Sequence, residues 1–293
     1  MKIGIETVAF REKLDERTFL KMIADAGFDC VDYTFFNMSG NSPEWLLSDD
    51  YLKNAENTAK LLKEFGLSCY QTHAPFTLFK DTPLNESNPT YKGVIRSLEY
   101  SAILGAKCCV IHAINPEFGM DVVKFNQPFY ADLAAIAKKT GVKIAIENLF
   151  RIDPTTNCYI GRLSDPDELC RLISELPEDC FTVCLDTGHA AMCGIEPDEF
   201  LNKIPKGMVT ALHVHDNNRK NDLHLLPYDG IADWDYNIRR LKKARHMPIL
   251  NFELALNSKP NRHENDVYAQ MPLTQYFAEA YKRACRIAYR YAR

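Results

Sequence analysis

Eight short apolar runs with the character of β-strands recur along this chain of 293 residues. The runs are Lys2–Val8, Cys30–Phe35, Ser68–Ala74, Lys107–Ala113, Val142–Leu149, Phe181–Asp186, Met208–His215 and Pro248–Leu254. Segments with helical periodicity lie between them. Because strands that alternate with helices pair in parallel through right-handed crossovers, the pattern predicts an α/β protein with a parallel sheet. Eight such units in a chain of this length favour a closed, eight-stranded (β/α)8 TIM barrel, with residues 1–293 as one domain.

Helix start and stop signals mark several of the segments between the strands. Apolar residues at i, i+3, i+4 and i+7 precede Gly27 in the order Phe19, Met22, Ile23 and Ala26. Asp165 and Pro166 supply a cap and a first-turn proline for another helix. An open doubly wound sheet is the alternative architecture, and it usually has a glycine-rich phosphate-binding turn after its first strand. Here that turn reads ETVAFREK, which favours the barrel.

The charge and cysteine content limit the classes of function. A net charge of −4 creates no overall field that attracts DNA or an anionic membrane, so we expect no nucleic-acid partner and no membrane partner. No apolar run approaches the length of a membrane span, and no signal-peptide cleavage site follows the first strand. The ten cysteines are spread along the chain without CxxC spacing, which is typical of free thiols in a reducing compartment. We therefore predict a cytoplasmic protein.

Six consecutive predicted strands end in a residue that can bind a metal ion. The third to eighth strands end at His73, at His112, at Glu147, at Asp186 with His189, at His213 with His215, and at Glu253. In a TIM barrel the carboxyl ends of all strands meet at one mouth, where active sites lie. Any one of these residues has an ordinary structural explanation, such as a buried hydrogen bond or a helix cap. Six in succession at the same end of a barrel favour a metal-binding mouth.

The segment ALHVHDNNRKNDLHLLPYDG, residues 211–230, has the highest density of such side chains. It contains His213, His215 and His224 together with Asp216, Asp222 and Asp229. Because side chains alternate along a strand, His213 and His215 lie on the same face at its end. Asp222 and His224 have the same spacing in the following loop. Neutral imidazole and carboxylate groups at this density are what a divalent cation requires.

The strand ends and the following loops carry the segments THAPF, VIHA, IENL, LDTGHA, HVHDN, DLHLLPYDG and FEL in this order. With them, the chain resembles the xylose isomerase-like TIM-barrel superfamily over nearly its whole length. More closely, it resembles the sugar phosphate isomerase/epimerase branch, which shares its architecture with endonuclease IV. The resemblance implies a central divalent metal ion, Mn²⁺, Mg²⁺, Co²⁺ or Zn²⁺, bound by Glu147, Asp186, His213 and Glu253.

The same resemblance implies further site residues. The remaining ligand positions of the trinuclear zinc site of endonuclease IV match His73, His112, His189, Asp222 and His224. In the isomerase interpretation, His189 and His215 orient substrate hydroxyl groups. Arg219 contacts a substrate oxygen or phosphate, and Asp222 and His224 bind substrate or a second metal ion. The set of residues is therefore compatible with phosphodiester cleavage and with sugar isomerisation.

The resemblance predicts a metal-dependent isomerase or epimerase with a sugar, sugar phosphate or polyol as its small-molecule partner. Such an enzyme removes a proton from the carbon next to a carbonyl group, passes through a metal-bound enediolate and returns the proton. Glu147 and Glu253 are the expected catalytic base and acid. Barrels of this kind often associate through their outer faces, so a homo-oligomer is one of the expected states.

Other activities also stay open. An endonuclease IV-like phosphodiesterase acting at apurinic or apyrimidinic sites would use three zinc ions and would need basic loops around the mouth. The segments FNMSGNSPEWLLSDD and INPEFGMDV are acidic or neutral instead, which disfavours it. A metal-dependent dehydratase of inositol-type substrates begins with the same proton abstraction, and the sequence does not separate it from an isomerase. A non-catalytic sugar binder is disfavoured because both candidate catalytic glutamates are present.

Overall fold

The computed structural model describes residues 2–11, 13–153, 155–156, 159–177, 179–244, 249–254 and 271–292. Its strands in chain order are β1 (Lys2–Glu6), β2 (Cys30–Thr34), β3 (Ser68–His73), β4 (Cys108–Ile111), β5 (Lys143–Glu147), β6 (Leu149–Ile152), β7 (Tyr159–Arg162), β8 (Phe181–Asp186), β9 (Val209–His213) and β10 (Ile249–Phe252). Eight of them form a parallel sheet in the order β10-β1-β2-β3-β4-β5-β8-β9. The other two, β6 and β7, form a separate antiparallel hairpin.

The two edges of the eight-stranded sheet meet. An isolated parallel bridge joins Val214, the residue after β9, to Phe252 of β10. The backbone N–H of Val214 donates to the carbonyl oxygen of Asn251 at 2.9 Å. The sheet is therefore a nearly closed barrel, which confirms the (β/α)8 prediction. Each of the eight predicted runs contains one of these strands, and Pro248 of the last run lies outside the described residues.

Helices connect the strands and cover the barrel. They are α1 (Val8–Arg11), α2 (Glu16–Ala26), α3 (Glu44–Leu47), α4 (Tyr51–Glu64), α5 (Pro89–Leu104), α6 (Val122–Thr140), α7 (Pro166–Ser174), α8 (Thr187–Met192), α9 (Pro197–Lys203), α10 (Trp234–Ala244) and α11 (Leu273–Ala292). As predicted, α2 ends at Gly27, which has a left-handed φ of 105°. Asp165 caps α7, and Pro166 lies in its first turn. Within the described ranges, no helix has the length and apolar character needed to cross a membrane.

The inward-facing side chains of β4, β5, β8 and β9 are small below the mouth and polar at the mouth. Five of the small ones form a compact cluster of Cys108, Val110, Ala145, Cys184 and Ala211. Because side chains alternate along a strand, the next inward positions of these strands are His112, Glu147, Asp186 and His213. The residues between them face outward and join the main core under the helices. The period-two pattern thus places four candidate site residues at the carboxyl ends of adjacent strands.

The β6–β7 hairpin differs from the sequence prediction, which extended the fifth strand to Leu149. The strand ends at Glu147 because Asn148 bonds across to β8. Its Nδ2 donates to the Asp186 carbonyl at 2.9 Å, and its Oδ1 accepts from the Asp186 N–H at 2.7 Å. The chain then leaves the barrel at Leu149 and returns at Arg162, with which Leu149 pairs. The base of this hairpin reaches the cavity at the mouth of the barrel.

Candidate metal centre

Four residues at the carboxyl ends of β5, β8, β9 and β10 form what we call the central cluster. They are Glu147, Asp186, His213 and Glu253, and each offers a ligand atom within 4.8 Å of the others. All four are buried, with exposed fractions from 0% to 8%. His213 Nδ1 lies 3.1 Å from Glu147 Oε1 and 3.3 Å from Glu253 Oε2. Asp186 Oδ2 is 4.0 Å from the same nitrogen. One imidazole nitrogen thus faces three buried carboxylates.

The central cluster requires positive charge at its centre. Carboxylates buried together repel one another and lose their hydration, so they need protons or cations between them. Glu253 Oε2 is buried and accepts no hydrogen bond from the described residues. One imidazole nitrogen and three carboxylates form a ligand set that fits a divalent cation. The excess of oxygen ligands matches the preference of Mn²⁺, Mg²⁺ and Co²⁺.

The two glutamates of the central cluster ionise differently in the metal-free protein. Burial opposes ionisation of Glu147, but His213 and His112 outweigh it and hold the pKa of Glu147 well below its ordinary value. For Glu253, burial prevails with help from Glu6 and Glu147, and the pKa of Glu253 is raised well above its ordinary value. In the metal-free protein, a proton on Glu253 therefore offsets part of the repulsion between the buried carboxylates.

A buried carboxylate behind His213 is a residue that sequence reasoning missed. Asp32 Oδ2 accepts from His213 Nε2 at 3.2 Å. It also accepts from Gln71 Nε2 at 2.7 Å and from Asn251 Nδ2 at 3.1 Å. A carboxylate against one imidazole nitrogen keeps the proton on that side and leaves the other nitrogen free to bind a metal ion. The available signal was the lone aspartate inside the apolar strand CVDYT, because a buried charge needs partners.

A second set of ligands, which we call the loop cluster, lies beside the central cluster. It consists of His189, His215, Asp222 and His224, whose ligand atoms also lie within 4.8 Å of one another. His224 Nε2 is 3.0 Å from Asp222 Oδ2, and the rings of His215 and His224 stack at 4.0 Å. His215 Nε2 lies 3.1 Å from both carboxylate oxygens of Asp186. Asp186 therefore links the two clusters.

The segment LDTGHA fits tightly against His215. Asp186 caps α8 by accepting from the His189 N–H at 2.6 Å. A β-carbon at Gly188 would lie 2.0 Å from His215 Cε1, so only glycine fits there. Burial opposes ionisation of Asp186, but His189 and His215 outweigh it and lower the pKa of Asp186 to about 2. The glycine and the capping aspartate of this segment thus position both clusters.

His73 and His112 flank Glu147 on its other side. His112 Nε2 lies 2.8 Å from Glu147 Oε2, and His73 Nε2 lies 3.6 Å from the same oxygen. Burial lowers the pKa of His112 to about 4, so this imidazole is neutral near pH 7 and available as a ligand. With these two histidines, every ligand residue predicted from the sequence converges at one mouth.

A backbone bridge and a tryptophan anchor the loop that carries Asp222 and His224. Asp216 and Leu225 exchange two backbone hydrogen bonds of 2.8 Å. Trp234 Nε1 donates to Asp216 Oδ2 at 2.8 Å, and Trp234 is buried. The tryptophan therefore has a structural role under this loop rather than a place in the cavity.

The mouth contains a cavity of about 530 Å³, a size usual for small-molecule sites. Residues of both clusters line it together with the apolar side chains of Phe36, Phe76 and Leu226. Glu6, at the end of β1, also lines it and is buried, although sequence reasoning did not select it. Burial and then Asp32 raise the pKa of Glu6 well above its ordinary value. The sequence feature that could have identified Glu6 is its position as a charged residue in the first apolar run.

The two arginines near the mouth have different surroundings. Arg219, which the sequence placed against the substrate, is half-exposed, and its Nη2 lies 2.6 Å from Glu196 Oε1. It is not part of the cavity lining in the described structure. Arg162, on β7, does line the cavity. The structure therefore does not bring Arg219 together with the other candidate site residues.

Comparison with known proteins supports the resemblance. The sequence profile described as xylose isomerase-like TIM barrel matches residues 20–270, and the chain belongs to this family. The uncharacterized protein y4fM of Sinorhizobium fredii is 26% identical over 270 residues, with 82% of this chain and 81% of the relative covered.

Two solved structures share the fold. That of D-psicose 3-epimerase in the presence of D-fructose has a TM-score of 0.73 at 13% identity and covers 98% of each chain. That of IolI protein with a binding zinc atom has a TM-score of 0.70 at 18% identity, covering 98% of this chain and 96% of the other. At such identities the similarity shows the fold alone.

Proposed function

We propose that this protein is a metal-dependent sugar isomerase or epimerase that moves a proton next to a carbonyl group. The observation that carries the proposal is the central cluster, in which three buried carboxylates face one imidazole nitrogen at the mouth of the barrel. The shared fold with D-psicose 3-epimerase supports a sugar as the substrate, and the zinc atom of the IolI structure supports a metal ion. The cavity size is compatible with a small ligand.

A divalent metal ion bound by the central cluster would supply positive charge to the substrate oxygens that become negative as the proton leaves. In this proposal, Glu147 and Glu253 act as the base that removes the proton and the acid that returns it. Both line the same cavity, so one substrate can contact both. His189 lines the cavity beside them and can hold a substrate hydroxyl group.

Metal content and hydrogen exchange test this proposal. The purified protein is first analysed for metals and then incubated with ketoses and ketose phosphates in deuterated water. We expect a firmly bound divalent ion and deuterium at the carbon next to the carbonyl, detected by NMR. Glu147→Gln and Glu253→Gln should each slow the exchange by about 10²- to 10⁴-fold, because each removes a proton-transfer group.

Glu64→Gln is the matched control, because this exposed glutamate pairs with Arg17 far from the mouth and should exchange at the wild-type rate. A protein that takes up no metal in any preparation would contradict the proposal. So would full exchange in both cavity variants. A product that has lost one water molecule would identify a dehydratase instead.

A second candidate is an endonuclease IV-like phosphodiesterase, because ligands lie on both sides of the central cluster. Zinc ions held there would activate water for attack on a phosphodiester. Against it, Arg162 is the only lysine or arginine in the lining formed by the described residues, whereas DNA binding requires several phosphate contacts. Three zinc ions per chain together with cleavage of abasic DNA would establish this activity and displace the isomerase proposal.

A further inference from the structure

Arg162 is a cation in the cavity wall, within electrostatic range of Glu147. None of the carboxylates described in the structure forms an ion pair with it, and its buried Nε has no acceptor there. Burial lowers the pKa of Arg162 to about 10, which leaves the guanidinium charged at neutral pH. Arg162 is only partly buried, so an anionic ligand in the cavity can reach its guanidinium and form charge-assisted hydrogen bonds with it.

Other arginines of the barrel show what a structural arginine looks like in this protein. Arg96 donates to the carbonyl oxygens of Leu46 and Ser48 at 2.8 and 2.6 Å. Arg151, on the same hairpin as Arg162, also has a buried Nε without an acceptor among the described residues, but its guanidinium lies over the ring of Phe118 at 4.9 Å. Within the part of the chain that the structure describes, Arg162 has no ring partner and no carbonyl partner. What distinguishes it from Arg96 and Arg151 is its place in the lining of the cavity.

The location of Arg162 connects it to the proposed reaction site. It pairs with Leu149 in the hairpin, two residues beyond Glu147, and it lines the same cavity as Glu147 and His112. Its charge also contributes to the low pKa of His112, which places the guanidinium within electrostatic reach of that imidazole. A small ligand that contacts the central cluster can thus extend to Arg162 without leaving the cavity.

We propose that Arg162 binds an anionic group of the substrate, a phosphate or a carboxylate, so that the enzyme acts on a sugar phosphate or a sugar acid rather than on a neutral sugar. A planar guanidinium bonds either group through two parallel hydrogen bonds. The inference rests on the proposed function for the identity of the substrate, but the anion site itself is independent of any reaction.

Calorimetric titration of the metal-free protein tests the anion site without turnover. The probes are inorganic phosphate, D-fructose 6-phosphate, 2-keto-D-gluconate and D-fructose, and the variants are Arg162→Gln, Arg162→Lys and the matched control Arg151→Gln. We expect at least one anionic probe to bind more tightly than D-fructose. Arg162→Gln should weaken that binding by about 10- to 100-fold, the loss expected for charge-assisted hydrogen bonds. Arg162→Lys should lose less, and Arg151→Gln should match the wild type.

The relative affinities of D-fructose 6-phosphate and 2-keto-D-gluconate decide between phosphate and carboxylate. Unchanged anion binding in Arg162→Gln, or D-fructose binding as tightly as every anionic probe, would overturn the inference. Equal losses in Arg162→Gln and Arg151→Gln would also overturn it, since they would report only the charge of the hairpin. Arg162-dependent anion binding in a protein that exchanges no substrate hydrogen would retain the anion site and reject the proposed function instead.

Discussion

The central cluster and the loop cluster occupy the same mouth but differ in their ligand types and in the elements that carry them. The central cluster has three carboxylates and one imidazole, each at the end of a barrel strand and each buried. The loop cluster has three imidazoles and one carboxylate, and two of its members are only partly buried in a loop where His224 has a left-handed φ of 48°. The mouth therefore combines a fully buried, oxygen-rich cluster with a partly buried, nitrogen-rich one. We expect the first to prefer Mn²⁺, Mg²⁺ or Co²⁺ and the second to prefer Zn²⁺.

The largest effect should come from Asp186, a ligand of the central cluster that also contacts His215 of the loop cluster. Asp186→Asn is expected to weaken metal binding at both clusters, at the central one by more than about 100-fold, because a charged ligand is lost. Metal content and titration calorimetry measure this. Asp165→Asn is the control, since Asp165 caps α7 without contact to either cluster and asparagine caps helices equally well. If Asp186→Asn kept both affinities, the residue would be a helix cap only.

A smaller effect, confined to the central cluster, is expected for Asp32. Asp32→Asn keeps the shape and an acceptor oxygen but removes the charge that holds the His213 proton on Nε2. Affinity for Mn²⁺ should fall by about 10- to 100-fold, while zinc uptake at the loop cluster stays unchanged. Asp29→Asn is the control, because Asp29 accepts from the Ile3 N–H at the opposite end of the barrel. Equal Mn²⁺ affinities in the two variants would show that Asp32 serves stability alone.

The opposite result, loss of zinc with retention of Mn²⁺, is expected for His224. His224→Ala removes a ligand of the loop cluster and should reduce zinc uptake by one ion per chain, while Mn²⁺ binding at the central cluster is retained. Elemental analysis after dialysis against each metal measures both quantities in one variant. A simultaneous loss of both metals would show that the two clusters form one metal site.

The smallest effect is expected for Arg219, at the outer edge of the same loop. Arg219→Gln breaks an exposed ion pair with Glu196, and such pairs contribute about 0–1 kcal/mol. Turnover, ligand affinity and melting temperature should therefore match the wild type. A loss of substrate affinity comparable to that of Arg162→Gln would show that the loop closes over the cavity in solution and would restore the role predicted from the sequence.

The sequence alone predicted the barrel and the convergence of the candidate ligands at its mouth. Strands such as Phe181–Asp186 alternate small inward residues with apolar outward ones, and this period-two pattern is local. Since parallel strands of a barrel end at one mouth, a histidine or carboxylate at the end of each strand could be assigned to a common site without knowledge of contacts. The convergence of the central and loop clusters follows from these local patterns and one topological rule.

Only the tertiary structure revealed Asp32, Glu6 and Arg162. Asp32 is compensated by His213, which is 181 positions away in the chain, so no local pattern could assign its role. Arg162 reaches the cavity because Asn148 ends β5 and redirects the chain into a hairpin, whereas Arg219, close in sequence to the ligands, turns outward to Glu196. Which charges are compensated and which face a cavity depends on contacts between distant segments. These contacts form only when the barrel closes.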